Sequence, residues 1–347
     1  MTAAAVPGAA APPCEFGAPG QDPRVSRCSE VSRLVGDQLV GSAAARDHIF
    51  VEAPQPWPAD WRRAPGYPDS LRRTLHRLTD RPGGNVKDHL ILPDPAWSSP
   101  GLVRFMAYRL PGGPAARLVR HEYLAPADLI GAIAEAVLGG AGDLRPFAPY
   151  RSEPGEVRDI FVCTHGSRDL CCSRFGIPIY QALRKRAEQS GGRLRVWRTS
   201  HIGGHRFAPT LIEMPVGRYW GHLDRPMIDE LADRATPPAN LAAAYRGRAL
   251  LPPLAQPVER ALFLSHGWAW DDVAIEATID VAGHTYDAGR QPATPVDRAV
   301  VTLAYPDPVR HVPAQVTAVV VADGTTPTAG CGSSISTVPR YRIATLR

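Results

Sequence analysis

The chain has 347 residues, 44% of them hydrophobic, and carries 39 lysines and arginines against 34 acidic residues for a net charge of +5. Single cores stop growing at roughly 250–300 residues, so this length predicts two or three units. The charge is mild and scattered, with no basic run interleaved with aromatics and no apolar stretch near ~20 residues, which excludes a recognisable nucleic-acid module and a membrane-spanning helix.

Residues 1–20 are rich in Ala, Pro and Gly and read as a disordered tail. They lack a basic n-region and are broken by prolines, which argues against a cleaved signal peptide. Residues 21–150 have the pattern of an N-terminal α/β domain. A weakly helical segment begins at Cys28 (CSEVSRLVGDQLVGSA), His48–Glu52 reads as a strand, Pro54–Pro68 as a loop and Leu71–Leu78 as a short helix. Strands follow at Asp88–Leu92, Leu102–Leu110 and Ala116–Tyr123, then a helix that starts at Pro126 and ends in glycine.

The Pro- and Gly-bearing segment 145–156 reads as a linker. The unit over 151–249 then gives the strand Val157–Val162, the helix Ile179–Gln189 and the strand Leu194–Thr199. A hairpin of Thr210–Met214 and Arg218–Gly221 and a helix opening near Pro226 complete it. Strand–helix–strand followed by strand–strand–helix is the order of a thioredoxin-like half-parallel sheet. Residues 250–347 read as a β-rich C-terminal extension, with a helix over Val258–Trp270 and strands at Val273–Val281, Ala299–Leu303 and Gln315–Ala322. The segments His284–Pro295 and Pro306–Pro313 read as loops.

The chemistry concentrates between Phe161 and Leu223. Of six cysteines, at 14, 28, 163, 171, 172 and 331, three crowd into ten residues, which is a poor disulfide framework. It fits a reducing, cytoplasmic setting with free thiols or bound metal. The spacing is Cys163-x8-Cys172, or x7 to Cys171, then His201-x3-His205 around Gly203 and Gly204. Two thiols and two imidazoles on loops that flank adjacent strands suit a metal centre. Iron–sulfur clusters are held mainly by thiolates, and imidazoles can replace two of four, so a 2Fe–2S cluster is the first reading. A neutral imidazole in place of a thiolate raises the potential, and its second ring nitrogen can couple a proton to the electron.

Around these donors, the double glycine suits a loop that approaches a cofactor closely. Trp197, Phe207 and Trp220 read as shielding groups, Arg168 and Asp169 as a local ion pair or as hydrogen-bonding groups behind the ligands, and His165 as a loop hydrogen-bonder. Cys14, Cys28 and Cys331 read as buried small hydrophobes. Two other chemistries use the same residues. A tetrahedral zinc ion on the two Cys and two His would make a structural or interaction module, although the x8 gap exceeds the usual short cysteine knuckle. A thiol oxidoreductase would use Cys171 and Cys172, but the Cys-x-x-Cys motif is missing. No Walker loop, G-x-S-x-G or G-x-G-x-x-G is present.

The string CTHGSRDLCCSRFGIPIYQALR, followed by WRTSHIGGHRFAPTLIEMPVGRYWGHLD, resembles the sucrase/ferredoxin-like family, whose defining part is a thioredoxin-like ferredoxin domain. The resemblance is clear over 157–235, and CSEVSRLVGDQLVGSA is similar to that family's opening motif. In ordinary thioredoxin-like ferredoxins the second ligand pair is two cysteines ahead of an Ala-Pro and a hairpin. Here His201 and His205 stand ahead of Ala208–Pro209, so the resemblance implies a bis-histidinyl 2Fe–2S centre. It implies the ligands Cys163, Cys172, His201 and His205, with Cys171 competing for the second thiolate place. The expectation is then an α/β chain: a thioredoxin-like ferredoxin domain with an N-terminal α/β unit and a β-rich C-terminal extension. It would act as an electron carrier rather than a stand-alone enzyme, serving a redox partner protein, with no nucleic acid and no membrane. No carboxylate pair is placed for glycoside hydrolysis, so "sucrase" finds no support in these residues.

Overall fold

The computed structural model describes residues 27–39, 47–79, 86–139, 142–287, 295–328, 331 and 336–347, and the 1–20 tail expected from composition lies outside them. The chain opens with α1 (Cys28–Leu34), β1 (Asp47–Glu52), α2 (Asp69–Thr79), β2 (Val86–Ile91), β3 (Val103–Arg109), β4 (Val119–Ala125) and α3 (Ile130–Leu138). It continues with β5 (Arg158–Cys163), α4 (Leu170–Glu188), β6 (Leu194–Thr199), β7 (Thr210–Met214), β8 (Arg218–Gly221), α5 (Arg225–Asp233) and β9 (Tyr245–Arg248). The last elements are α6 (Gln256–His266), β10 (Glu276–Val281), β11 (His284–Asp287), β12 (Arg298–Pro306), β13 (Pro313–Pro327) and β14 (Thr337–Leu346).

β5 reads RDIFVC and is buried along nearly its whole length, as a strand covered on both faces must be. It pairs parallel with β6 through the α4 crossover and antiparallel with β7, which turns back as β8. The local order β6-β5-β7-β8, with α4 and α5 as its helices, is that of a thioredoxin-like unit, and the fold class is α/β as the sequence pattern predicts. This unit is the middle of a larger sheet, ordered β4-β3-β1-β2-β6-β5-β7-β8-β9. A second, five-stranded antiparallel sheet runs β11-β10-β12-β13-β14.

The join between β2 and β6 is short and matters for the site. Ile91 pairs with Thr199, and Ser200 donates its backbone N–H to Leu90 O (2.9 Å) while its hydroxyl accepts from Leu90 N (2.9 Å). Deeper in the sheet, Arg195 donates to both Asp159 and Glu122, and Asp159 also accepts from Trp197 Nε1 (2.8 Å) and Tyr108 OH (2.7 Å). On the far side, the buried Arg218 lies 3.7 Å from the Phe263 ring and pairs with Asp271, tying the hairpin to the segment after α6. Buried charges survive here because each has opposite charge and hydrogen bonds around it.

Four elements depart from the sequence pattern. α4 starts at Leu170 rather than after Pro178, because Asp169 caps it by accepting from Cys171 N (2.8 Å). Pro178 thus sits inside the helix, whereas a proline usually marks a first turn. Gly176 lets this helix lie on β5; a Cβ there would meet Cys163 O at 2.1 Å. Part of the segment expected as a loop from His284 forms β11, and β9 and β14 lie where no strand was expected. Among the described residues no helix is long and apolar enough to cross a membrane.

Candidate metal centre

Parallel strands joined by a helix present their carboxyl ends side by side, so the loops that leave those ends meet. Cys163 ends β5 opposite Thr199, the end of β6. Beyond Cys163 a turn leads to the first turn of α4, which carries Cys172; beyond Thr199 come Ser200 and His201. The donor atoms of Cys163, Cys172 and His201 all lie within 4.8 Å of one another. Cys172 Sγ is 3.8 Å from His201 Nδ1. His205 joins through His201: its Nδ1 is 3.4 Å from His201 Nε2, and the rings stack at 5.0 Å. Its other nitrogen, Nε2, is buried without a hydrogen-bond partner among the described residues.

The electrostatics follow from burial of so many donors together. Burial pushes the Cys163 thiol up, yet hydrogen bonds from Cys172 and His201, with the charge of His201 and the backbone at His165, bring it well below its ordinary value. Cys172 is driven the other way, first by its hydrogen bond to Cys163 and then by burial and the neighbouring negative charge. The two shifts run in opposite directions because each sulfur is the other's hydrogen-bond partner. His205 falls to about 4, through burial and the charge of His201, so its imidazole is neutral near pH 7.

A family model described as sucrase/ferredoxin-like matches residues 39–247. The chain belongs to the sucrase/ferredoxin-like family. No curated protein matches it. Among solved structures, a thioredoxin-like [2Fe-2S] ferredoxin from Aquifex aeolicus is 18% identical over 23% of this chain and 81% of that one, with a TM-score of 0.21.

In this sucrase/ferredoxin-like chain, the loops that bear the donors are held from behind. His165 is a hydrogen-bonder, as expected: Nδ1 accepts from the backbone N–H of His201 (3.3 Å), and Nε2 is 2.9 Å from Pro58 O. Ser200, clamped to β2, fixes the other side of His201. Gly203 and Gly204 both have positive φ, and a Cβ on Gly204 would fall 2.3 Å from Arg246 Nη2. The double glycine therefore accommodates both a left-handed turn and a close guanidinium. Arg246 is buried between Phe207 and Tyr219 and donates to Gly203 O (3.4 Å).

Two of the expected shields are elsewhere. Trp197 points to the opposite end of β5, where it bonds Asp159 and packs on Trp97 at 4.9 Å. Trp220 packs against Tyr245 and Phe263. Phe207 stays next to the histidine turn. Asp169 is the fold-pinning group, capping α4 and accepting from Cys331 N (3.0 Å).

Consecutive residues of a helix are about 100° apart around its axis, so Cys171 and Cys172 face different ways. Cys171 turns from the centre toward Cys28, 3.4 Å away, and Cys331, 3.8 Å away. This second group of sulfurs, with Asp169, was not legible as a site. Its members come from three distant stretches; of the cysteines expected as buried small hydrophobes, Cys28 is fully buried, Cys331 only half-buried, and Cys14 lies outside the described residues.

The first group suits a metal. One thiol that titrates low, a second that can lose its proton to a cation, and two imidazoles make a donor set for a soft or borderline ion or an iron–sulfur cluster. The orphaned Nε2 of His205 is a buried polar atom that a metal would satisfy.

Proposed function

We propose that this chain is an electron-transfer protein that holds a 2Fe–2S cluster on Cys163, Cys172, His201 and His205. The observation that carries this reading is the convergence of three of these donors, Cys163, Cys172 and His201, within 4.8 Å, with His205 outside that group but stacked on His201. When bound, the cluster supplies a one-electron couple. The protein supplies the rest. Cys163 and Cys172 give the anionic, fully buried side, and the histidines give the half-buried side. The neutral imidazoles keep the centre's charge low, and the ring nitrogen left free on each holds the proton that accompanies the electron. His165, Ser200 and Gly204 fix the histidine turn, so little rearrangement is required when charge arrives.

The electron is exchanged with a redox partner protein across the 201–205 turn. That turn is the half-buried edge of an otherwise buried centre.

Iron, sulfide and zinc analysis of anaerobically prepared protein, with its visible spectrum, tests the reading. The expected result is a brown protein with near-stoichiometric iron and sulfide. A colourless protein with one tightly held zinc would replace it with a structural zinc module.

A further inference from the structure

A cavity of about 870 Å³ lies against the far side of the Ile202–Gly204 backbone, walled by β9, α6 and β14. Small-molecule sites span roughly 300–1,000 Å³, so its size is that of a ligand pocket. Much of its wall is apolar. Phe207 lines it beside the turn, Leu264 lines it from α6, and Val338 and Ile343 line it from β14. The last three are half-buried, which leaves hydrocarbon facing the cavity. Arg260 and Leu264 are four residues apart on α6, so this one helical face carries both a cation and an apolar contact.

The charge on the wall is one-sided. Among the described residues it carries four cations, Lys87, Arg246, Arg260 and Arg342, and one carboxylate, Asp37. Asp37 is engaged by Arg206 (2.6 Å), and Arg342 pairs with Asp323 (3.4 Å). For Lys87, Arg246 and Arg260 the described lining offers no further carboxylate. Backbone carbonyls orient them: Lys87 donates to Ile202 O (2.7 Å), Arg246 to Gly203 O (3.4 Å) and Arg260 to Ala242 O (2.8 Å). A carbonyl dipole fixes a cation in place without cancelling its charge, and apolar walls strengthen that charge's reach into the cavity. We infer that the cavity is a binding site for a small amphipathic anion, a carboxylate or sulfonate on an apolar body.

Both halves of that chemistry are required. A cation is repelled by the surplus positive charge. A sugar or a polyphosphate would set polar surface against Leu264, Val338 and Ile343 with no hydrogen bonds to compensate. An uncharged apolar molecule would take water from the three cations and give nothing back. An amphipathic anion sets its head among Lys87, Arg246 and Arg260 and its body along Phe207, Leu264 and Ile343. The head lies at the metal-centre end, because Lys87 and Arg246 hold carbonyls of the turn between His201 and His205. None of Cys163, Cys172, His201 and His205 lines the cavity, so binding uses no atom of the donor set and does not rest on the cluster reading.

The test titrates the full chain with two fluorescent probes, anilinonaphthalene sulfonate and phenylnaphthylamine, which share their rings and differ by the sulfonate. The sulfonate should bind at a single saturable site, and the uncharged amine about tenfold more weakly, the worth of one charge-assisted hydrogen bond. Arg260→Gln should weaken the sulfonate by a similar factor and leave the amine unchanged. Ala261→Trp, at a half-buried lining position, should weaken both by filling the cavity, and it carries the test alone if Arg260→Gln does not fold. No saturable binding of the sulfonate, equal affinity for the two probes, or unchanged affinity in every folded variant would overturn the proposal. The probes report on the cavity in metal-free and metal-loaded protein alike, so they separate its failure from that of the cluster reading.

Discussion

Cys171 and Cys172 are adjacent in sequence yet face different chemistry: Cys172 Sγ lies 3.8 Å from His201 Nδ1, while Cys171 Sγ lies 3.4 Å from Cys28 Sγ. The vicinal pair is thus two half-sites back to back on one helical turn. Cys172→Ser should abolish metal binding, and Cys171→Ser should retain it. Metal-to-protein ratios of the two purified variants decide; loss confined to the Cys171 variant would reverse the proposed assignment.

The histidines set the charge of the proposed cluster. His201→Cys or His205→Cys adds an anionic thiolate, so a cluster should persist with a potential lower by on the order of 100 mV. One proton per electron gives a slope of about 59 mV per pH unit, and each variant should be flatter. Voltammetry from pH 6 to 9 measures both. An unchanged potential and slope in both variants would remove the histidines from the donor set.

Much of this arrangement was legible in the sequence because it is local. The strand at Val157–Val162, the strand Leu194–Thr199 and the hairpin all lie within about a residue of their expected places, since buried strands announce themselves as apolar runs. The nearness of Cys163, Cys172 and His201 follows from a parallel pair with a helical crossover. What escaped depends on contacts between distant stretches. Cys28, Cys171 and Cys331 carry no shared spacing, Trp197 turns away because Asp159 offers it a buried acceptor, and the α4 start was hidden by Pro178.

The buried charge network offers a way to weaken the fold without touching the centre. Asp159 is fully buried, and its carboxylate answers Arg195, Trp197 and Tyr108. The Arg195 pair raises the arginine and, against burial, brings Asp159 below its usual value. Asp159→Asn leaves a buried guanidinium short of its counter-charge, which should cost about 3–5 kcal/mol. Denaturant unfolding should show that loss, while the folded fraction keeps its metal-to-protein ratio. A variant as stable as wild type would mean that Glu122 alone satisfies Arg195.

The left-handed turn before His205 is the most constrained backbone at the site. Gly204 has φ 72°, and a Cβ would lie 2.3 Å from Arg246 Nη2, in a side chain buried against Phe207 and Tyr219. Gly204→Ala should therefore shift the turn and lower metal content at least twofold. Gly192, at φ 82° with open space around it, is the control: Gly192→Ala should incur only the ~1 kcal/mol left-handed cost and keep its metal. Equal metal content in the two variants would show that the contact with Arg246 does not position His205.

His222 gives the fold a pH dependence of definite sign. Its Nε2 is 3.1 Å from Ser32 Oγ and its Nδ1 3.4 Å from Ala208 O, so it links α1 to the turn behind the centre. Burial, with the charge of Arg33, lowers it to about 4 from an ordinary 6.5. The folded state therefore favours the neutral ring, while the unfolded chain binds a proton near pH 6.5. Its contribution is fully present above that pH and is lost as pH falls toward 4, by roughly 3 kcal/mol at most. His222→Gln keeps a polar group there but cannot titrate. Measured by denaturant unfolding, the wild type should lose stability relative to this variant between pH 6.5 and 4, and the two curves should run parallel from pH 7 to 8. Parallel curves across the acid range as well would show that His222 is not held neutral by the fold.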